Sequence, residues 1–263
     1  MEFCEILGVN IAVTNMKSTV KFIEENLENI KGKYICISNV HTTVMSYKNE
    51  KYRKVQNNSV ISLPDGKPLS TYSRKIGYKN AERVTGPDLM DELFKISEIK
   101  GYKHYFYGST KETLELMSSA LKKKYPKLNV MGMYSPPFSD TIKVEDDEII
   151  NKINELEPDF LWVGLGAPKQ ETWMYLNQNK INAVMIGVGA GFDYFAGKIK
   201  RAPVWMQNHS LEWLYRLMQD PKRLFKRYFE TNKDFLLLTK FGKYKPKKIQ
   251  KEYQNRWLKE KTY

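Results

Sequence analysis

The sequence predicts an α/β fold, a parallel sheet with helices on both faces, from three observations. Apolar runs rich in β-branched and aromatic residues recur, each ends in a glycine or small polar residue, and most lead into helical periodicity. Tyr34-Ile35-Cys36-Ile37 runs into Ser38-Asn39, and Thr42 to Lys54 reads as helical. Val60-Ile61-Ser62-Leu63 runs into Pro64-Asp65-Gly66. His104-Tyr105-Phe106-Tyr107 runs into Gly108-Ser109 and an amphipathic stretch to Lys124, with Ser109 and Glu112 at capping-box spacing. Phe160-Leu161-Trp162-Val163 runs into Gly164-Leu165-Gly166 and a helix over Lys169 to Lys180. Ala183-Val184-Met185-Ile186 runs into Gly187-Val188-Gly189. Ligands of such sheets lie beyond the carboxyl ends of the strands. Asn39, Asp65, Gly108, Gly166 and Gly189 are therefore expected along one edge of the molecule.

The character changes near Arg201-Ala202-Pro203, so residues 1–200 form the α/β domain and residues 201–263 a basic helical C-terminal appendage. From Ser210 onwards Leu211, Leu214, Leu217 and Met218 recur at helical spacing. A second helix follows Pro221, which suits a first turn, and reaches about Lys240. The end, Lys243 to Tyr263, is lysine-rich. From Lys198 onwards eighteen Lys/Arg face six Asp/Glu, so nearly all of the net charge of +13 lies there. That asymmetry implies an anionic partner at the appendage, either a bilayer surface, a phosphate-bearing substrate or nucleic acid.

Composition excludes several classes. Cys4 and Cys36 have no metal or redox spacing, and no disulfide framework suggests export, so a reducing, cytosolic compartment is expected. The first residues lack the basic start and apolar run of a signal peptide. No apolar run approaches the roughly 18 residues of a membrane span. His41, His104 and His209 have no metal-ligand spacing with nearby carboxylates, and no Asp-x-Asp pair is present. Asp146-Asp147 sits in an acidic loop or helix start. Metal-independent chemistry is expected, with no cofactor and with backbone amides and cations carrying phosphate charge. The full Gly-x-Gly-x-x-Gly fingerprint and the Walker motif are both missing.

Asp65 in Ser62-Leu63-Pro64-Asp65-Gly66-Lys67-Pro68 has two readings. It is either a general base for a hydroxyl at the sheet edge or the polar residue of an Asp-Gly turn. Asn39, His41, Thr42 and Thr43 either hold a sugar or phosphate or cap the following helix. Gly108-Ser109-Thr110 and Gly164-Leu165-Gly166-Ala167-Pro168 open helices whose unpaired N–H groups can receive phosphate, or are plain strand–helix turns. Pro168 reads as an early helical position. Gln170 and Asp193 put donors and acceptors at the cleft, whereas Lys169 and Glu171 read equally well as a solvated first turn. Arg201, Arg216, Arg223 and Arg227 offer planar forks for phosphate oxygens, and Trp213, Arg216, Leu217, Leu224 and Arg227 mix groups as interfacial helices do.

The ordered series resembles the WecG/TagA/CpsF family of bacterial glycosyltransferases (glycosyltransferase family twenty-six). The matching blocks begin with Ser38-Asn39, Pro64-Asp65-Gly66-Lys67-Pro68, Arg83-Val84-Thr85-Gly86-Pro87-Asp88-Leu89, Tyr107-Gly108-Ser109 and Pro136-Pro137-Phe138. They continue through Val163 to Trp173, Gly187 to Asp193, Gly197, Arg201-Ala202-Pro203, Glu212 to Leu217 and Pro221 to Tyr228. Ser38 stands where many members carry threonine, which keeps the hydroxyl. The resemblance implies a Rossmann-like fold and an inverting transfer from a UDP-sugar to a polyprenyl-diphosphate-linked acceptor. In the most similar branch, N-acetylmannosamine passes to the 4-hydroxyl of N-acetylglucosamine on undecaprenyl diphosphate, in the linkage unit of wall teichoic acid. Other members use another UDP-hexose for capsule, exopolysaccharide or common-antigen synthesis.

By the same resemblance Asp65 matches the base. Asn39, Arg83, Gln170 and Asp193 match the nucleotide-sugar pocket, to which the edge residues Gly108, Tyr134, Gly166 and Gly189 are assigned. Arg216 and Arg223 match the segment that meets the lipid diphosphate, and Arg201 and Arg227 join them as acceptor and membrane contacts. The implied place is the cytoplasmic, inner face of the cell membrane, on anionic lipid. This reading expects UDP to bind, without nicotinamide cofactor or nucleic acid. An NAD-dependent oxidoreductase and an RNA-binding protein are the competing classes. A homo-oligomer stays open, since an amphipathic tail also suits a subunit interface.

Overall fold

In the computed structural model eight strands form one sheet in the order β1-β2-β4-β3-β8-β7-β5-β6. They are β1 (Glu2–Ile6), β2 (Val9–Val13), β3 (Tyr34–Ser38), β4 (Ile61–Pro64), β5 (Lys103–Gly108), β6 (Asn129–Tyr134), β7 (Phe160–Gly164) and β8 (Val184–Gly187). Every pairing is parallel except that of β1 with β2. The structure describes residues 1–139, 141–142, 144–209, 211–241, 244–246 and 249. Ser210 and most of the lysine-rich end from Lys243 to Tyr263 lie outside the described residues.

Alternation explains why the central strands are apolar throughout. Ile35, Ile37, Phe160 and Trp162 enter one core, and Tyr34, Cys36, Leu161 and Val163 enter another on the opposite face. The first core is closed by α1 (Met16–Ile30), α5 (Gly86–Lys100), α6 (Lys111–Lys124) and α9 (Gly191–Phe195), through Ile23, Leu27, Leu93, Leu114, Met117 and Phe192. The second is closed by α7 (Asp147–Glu155) and α8 (Lys169–Asn177), through Ile150, Ile153, Trp173 and Met174. Beside it on the same side lie α2 (Val40–Lys48) and α3 (Glu50–Asn58). Cys4 and Cys36 are buried and free. His104 is fully buried, accepts from Trp162 Nε1 (2.9 Å) and bonds Ser97 Oγ (2.8 Å), a core role for that histidine.

The appendage is packed onto the body. After α4 (Lys67–Lys75) and α10 (Val204–Asn208) come α11 (Glu212–Gln219) and α12 (Pro221–Lys240). Phe235 of α12 shares a third core with Cys4, Ile6, Ile11, Val44 and Leu69. Lys48 pairs with Asp234, and Gly8 N–H donates to Tyr244 Oη at 3.0 Å. Among the described residues no helix is long and apolar enough to cross a membrane.

Local readings need three corrections. The helix expected over Thr42–Lys54 is two helices, because Asn49 is extended, ends α2 and caps α3 by accepting from Tyr52 N. The α6 cap is Thr110, which accepts from Thr113 N, while Ser109 has φ +59° in the preceding turn. Pro168 is the N-cap residue of α8 and follows a cis peptide. Of the two readings of Asp146-Asp147 the helix start holds, with Asp147 in the first turn of α7 behind the N-cap residue Asp146.

Gly108 is needed for space as well as for conformation. Its φ is +120°, and a Cβ there would sit 2.7 Å from the Gly164 carbonyl carbon on the neighbouring strand. Gly108→Ala is therefore expected to destabilise the protein by about 2–4 kcal/mol, measured by urea unfolding.

Candidate active site

Strand pairing delivers Asp65 to the sheet edge. β3 and β4 run in register to Ser38↔Pro64, and the Asp65 N–H then donates to the Ser38 carbonyl at 2.7 Å. Gly66, at φ +94°, turns the chain into α4, so the Asp-Gly turn expected from sequence exists and also aims the edge. Val84 N–H donates to the Pro64 carbonyl at 2.9 Å, which carries Arg83 alongside. A cavity of about 290 Å³ lined by Lys67, Ser70, Arg74, Glu82, Arg83 and Gln207 adjoins this corner.

The charges around Asp65 come from three distant parts of the chain. Arg83 pairs with Glu212 at 2.6 Å, and Arg201 pairs with Asp88 at 2.8 Å and with Glu212 at 3.3 Å. Burial pushes the Asp65 carboxyl from its ordinary 3.8 up to about 7. Arg83 opposes that rise, Glu212 and Asp88 add to it, and Arg201 opposes it. Asp88 itself lies below the ordinary carboxylate range although burial opposes this, because Arg201 and Thr85 donate to it. A carboxyl that ionises near neutrality is matched to proton abstraction. Since Glu212 raises Asp65, Glu212→Gln is expected to move the acid limb of the kcat/KM pH profile to lower pH.

The other assigned residues fall into separate groups. Asn39 caps α2: its side chain accepts from Thr42 N at 3.2 Å, and Thr42 Oγ1 accepts from Asn39 N–H at 2.9 Å. Arg201 and Arg216 both lie over the Tyr194 ring, 5.6 and 5.4 Å from its centre, next to Asp193 in α9. Arg227 reaches towards His41, whose ionisation is depressed to about 4 by burial and by Arg227. His41 Nδ1 and Arg227 Nε are both buried without a hydrogen-bond partner. Arg223 instead pairs with Asp220 at 2.5 Å on the exposed start of α12. Gly108 and Gly166 belong to the neighbouring β5–β7 edge, where β5 leads to α6 and β7 to α8 on opposite faces. Tyr134 lies there too, its ring 5.7 Å from that of Tyr107.

Two assignments change in kind. Gln170 is buried and committed internally, accepting from Gly189 N–H at 2.9 Å and donating to Glu171 at 2.7 Å, so it shapes the Gly189 turn. Glu171, read from sequence as equally a solvated residue, is fully buried. Lys169 donates to the Ser139 carbonyl at 2.8 Å. Nothing local in the sequence marks Glu212, Asp88 or Tyr194 for this corner, although Glu212 and Asp88 lie in the blocks that carry the resemblance. Their sequence signal is only a carboxylate near an arginine, and their partners are set by packing.

Comparison with known proteins gives the same direction as the geometry. The sequence profile of the "Glycosyl transferase WecG/TagA/CpsF family" matches residues 4–249. A Staphylococcus aureus (strain MW2) protein named N-acetylglucosaminyldiphosphoundecaprenol N-acetyl-beta-D-mannosaminyltransferase is 30% identical over 223 residues, covering 84% of this chain and 86% of the relative. Proteins of the same name from strains NCTC 8325 / PS 47 and COL are similar to the same extent.

Proposed function

The chain belongs to the WecG/TagA/CpsF family of glycosyltransferases and is a hexosyltransferase, and from that premise we propose the reaction it performs. N-acetylmannosamine is moved from UDP-N-acetylmannosamine to N-acetylglucosamine linked to undecaprenyl diphosphate, with inversion, in assembly of the linkage unit of wall teichoic acid. The similarity to the named mannosaminyltransferases carries the choice of donor and acceptor, and the place of Asp65 at the β4 strand end among Arg83, Arg201 and Glu212, with its carboxyl raised to about 7, supports it as the base.

Asp65 takes the proton from the acceptor hydroxyl as its oxygen attacks the anomeric carbon from the face opposite the departing UDP. The diphosphate charge that develops is met by arginine and by backbone N–H groups at the glycine turns. Asn39, Arg83, Gly108, Tyr134, Gly166, Gly189 and Asp193 line the donor side, with Gln170 supporting it. Arg201, Arg216, Arg223 and Arg227 take the acceptor diphosphate and anionic headgroups, no metal being required. The names and coverage of the relatives support the donor and acceptor classes, and the exposed apolar and basic surface of α12 supports action at the inner face of the membrane.

The test offers several UDP-sugars to a polyprenyl-diphosphate-linked N-acetylglucosamine acceptor and reads the product by mass spectrometry. Transfer from UDP-N-acetylmannosamine in preference to UDP-glucose and UDP-N-acetylglucosamine is expected. A preference for another donor overturns the sugar assignment, and binding of NAD without UDP overturns the reading as a whole.

A further inference from the structure

Six hydrogen bonds run in series through the interior, from the Asp65 strand end to the turn after β8. Asp65 N–H donates to the Ser38 carbonyl (2.7 Å), and Ser38 O–H donates to Gln56 Oε1 (2.7 Å). Gln56 Nε2 donates to Tyr52 Oη (2.9 Å), and Tyr52 O–H donates to Glu171 Oε2 (3.1 Å). Gln170 Nε2 donates to Glu171 Oε1 (2.7 Å), and Gly189 N–H donates to Gln170 Oε1 (2.9 Å). Ser38, Gln56 and Glu171 are fully buried, and Tyr52 and Gln170 nearly so.

The direction of this series follows from its ends. A backbone N–H can only donate, so the Gln170 amide must turn its oxygen to Gly189 and its nitrogen the other way. The group that meets that nitrogen must accept, and Glu171 does so while also accepting from Tyr52. A carboxyl without partners would be costly at this depth, so the arrangement persists only as a complete set. Gly187 makes room for this arrangement, because a Cβ there would lie 3.2 Å from the Gln170 amide.

We infer that Glu171 is a positioning residue: it orients the Gln170 amide, holds the Gly189 turn through it, and sets the spacing between that turn and the Asp65 strand end. The inference rests on the reading above, in which the Gly189 turn receives the nucleotide sugar. Glu171 does not touch substrate, and its effect reaches the site through Gln170.

Three variants and two readouts test it. Glu171→Leu removes every acceptor at nearly constant volume. Hydrogen exchange at the Gly189 amide is expected to quicken at least tenfold, and the Kd for UDP to rise about tenfold. The Tm should fall as well, since the Tyr52 hydroxyl and the Gln170 amide lose their shared acceptor in the interior, so both readouts are taken on the folded variant. The exchanged pair Gln170→Glu with Glu171→Gln can rebuild every bond, because residue 170 then accepts from both Gly189 N–H and the new amide. It is expected to restore Gly189 exchange to within about threefold of the unsubstituted protein, which is the readout this pair is used for, since its new carboxylate faces the turn that takes UDP. Tyr52→Phe, which loses only a hydroxyl, is expected to quicken Gly189 exchange in the same direction and serves if Glu171→Leu does not fold. Unchanged Gly189 exchange in the folded variants overturns the inference, as does a paired variant no better than Glu171→Leu. Failure of the unsubstituted protein to bind UDP overturns the nucleotide-sugar reading instead, because the exchange measurement needs no ligand.

Discussion

Asp65→Asn is expected to lower kcat by about 10²–10⁴-fold with little change in KM for the donor, since it removes the proposed base and keeps the shape. In the unsubstituted enzyme kcat/KM should rise with pH through about 7, where the carboxyl ionises. Stability should respond oppositely. The folded carboxyl keeps its proton up to about 7, whereas the unfolded one loses it near 3.8. The folded state binds more protons across that window, so stability falls as pH rises from 3.8 to 7 and stays low above it. Asp65→Asn removes that cost, and its Tm at pH 8 should exceed that of the unsubstituted protein, by about 2–4 °C per kcal/mol relieved. A variant with near-normal kcat, folded and no more stable at pH 8, would show that Asp65 only forms the turn.

The second large effect belongs to the outer face of α12. Phe225 and Phe229 are 62% and 63% exposed and stack on each other, with Lys222, Lys226 and Lys233 exposed around them. Trp205, Trp213 and Met218 are further exposed apolar side chains on α10 and α11. An apolar stripe rimmed by lysines is the pattern of a helix lying in a bilayer interface. Phe225→Ser with Phe229→Ser should weaken binding to anionic vesicles by about 10²–10⁴-fold, from roughly 1.5–3 kcal/mol per buried phenylalanine. Activity on lipid-linked acceptor should fall with it, while UDP affinity and Tm hold. Vesicle flotation and calorimetry read the two separately. Binding that persists in the double variant would assign the stripe to a subunit interface, which sedimentation would then detect.

Point substitutions serve here better than truncation. A cut at about Ser210 separates the basic helices from the α/β domain in the sequence. Leu224 and Phe235 are buried, however, and Phe235 completes a core with Ile6, Ile11 and Leu69. Removing α12 would open that core to water, so loss of activity in a truncated chain would not isolate the membrane contact.

Much of the architecture could be read from local pattern. The runs Tyr34–Ile37 and Phe160–Val163 are apolar on both alternating faces because both faces of a parallel sheet are covered, and Ser38-Asn39 and Gly164 after them mark the carboxyl edge of the sheet. The hairpin of β1 and β2 and the strand β6 went unread. Glu2–Ile6 alternates weakly, and β6, Asn129–Tyr134, is only partly buried, so the amphipathic signal is faint in both. Cap geometry also escaped: Ser109 and Glu112 have the spacing of a capping box, but backbone pairing of Ser109 N–H to the Gly164 carbonyl at 3.1 Å pulls Ser109 into the turn and passes the cap to Thr110.

The sequence by itself determined the fold class, the edge on which Asp65 stands and the basic, amphipathic nature of the C-terminal helices. Each follows from spacing within a few residues, which side-chain periodicity and turn chemistry record directly. Tertiary structure alone decided what surrounds Asp65. Arg83 meets Glu212 across 129 positions and Tyr52 meets Glu171 across 119. No local pattern encodes such a meeting, because it depends on how separate elements pack. That packing half-buries Asp65 and raises its carboxyl to about 7, the range that the proposed base needs at neutral pH.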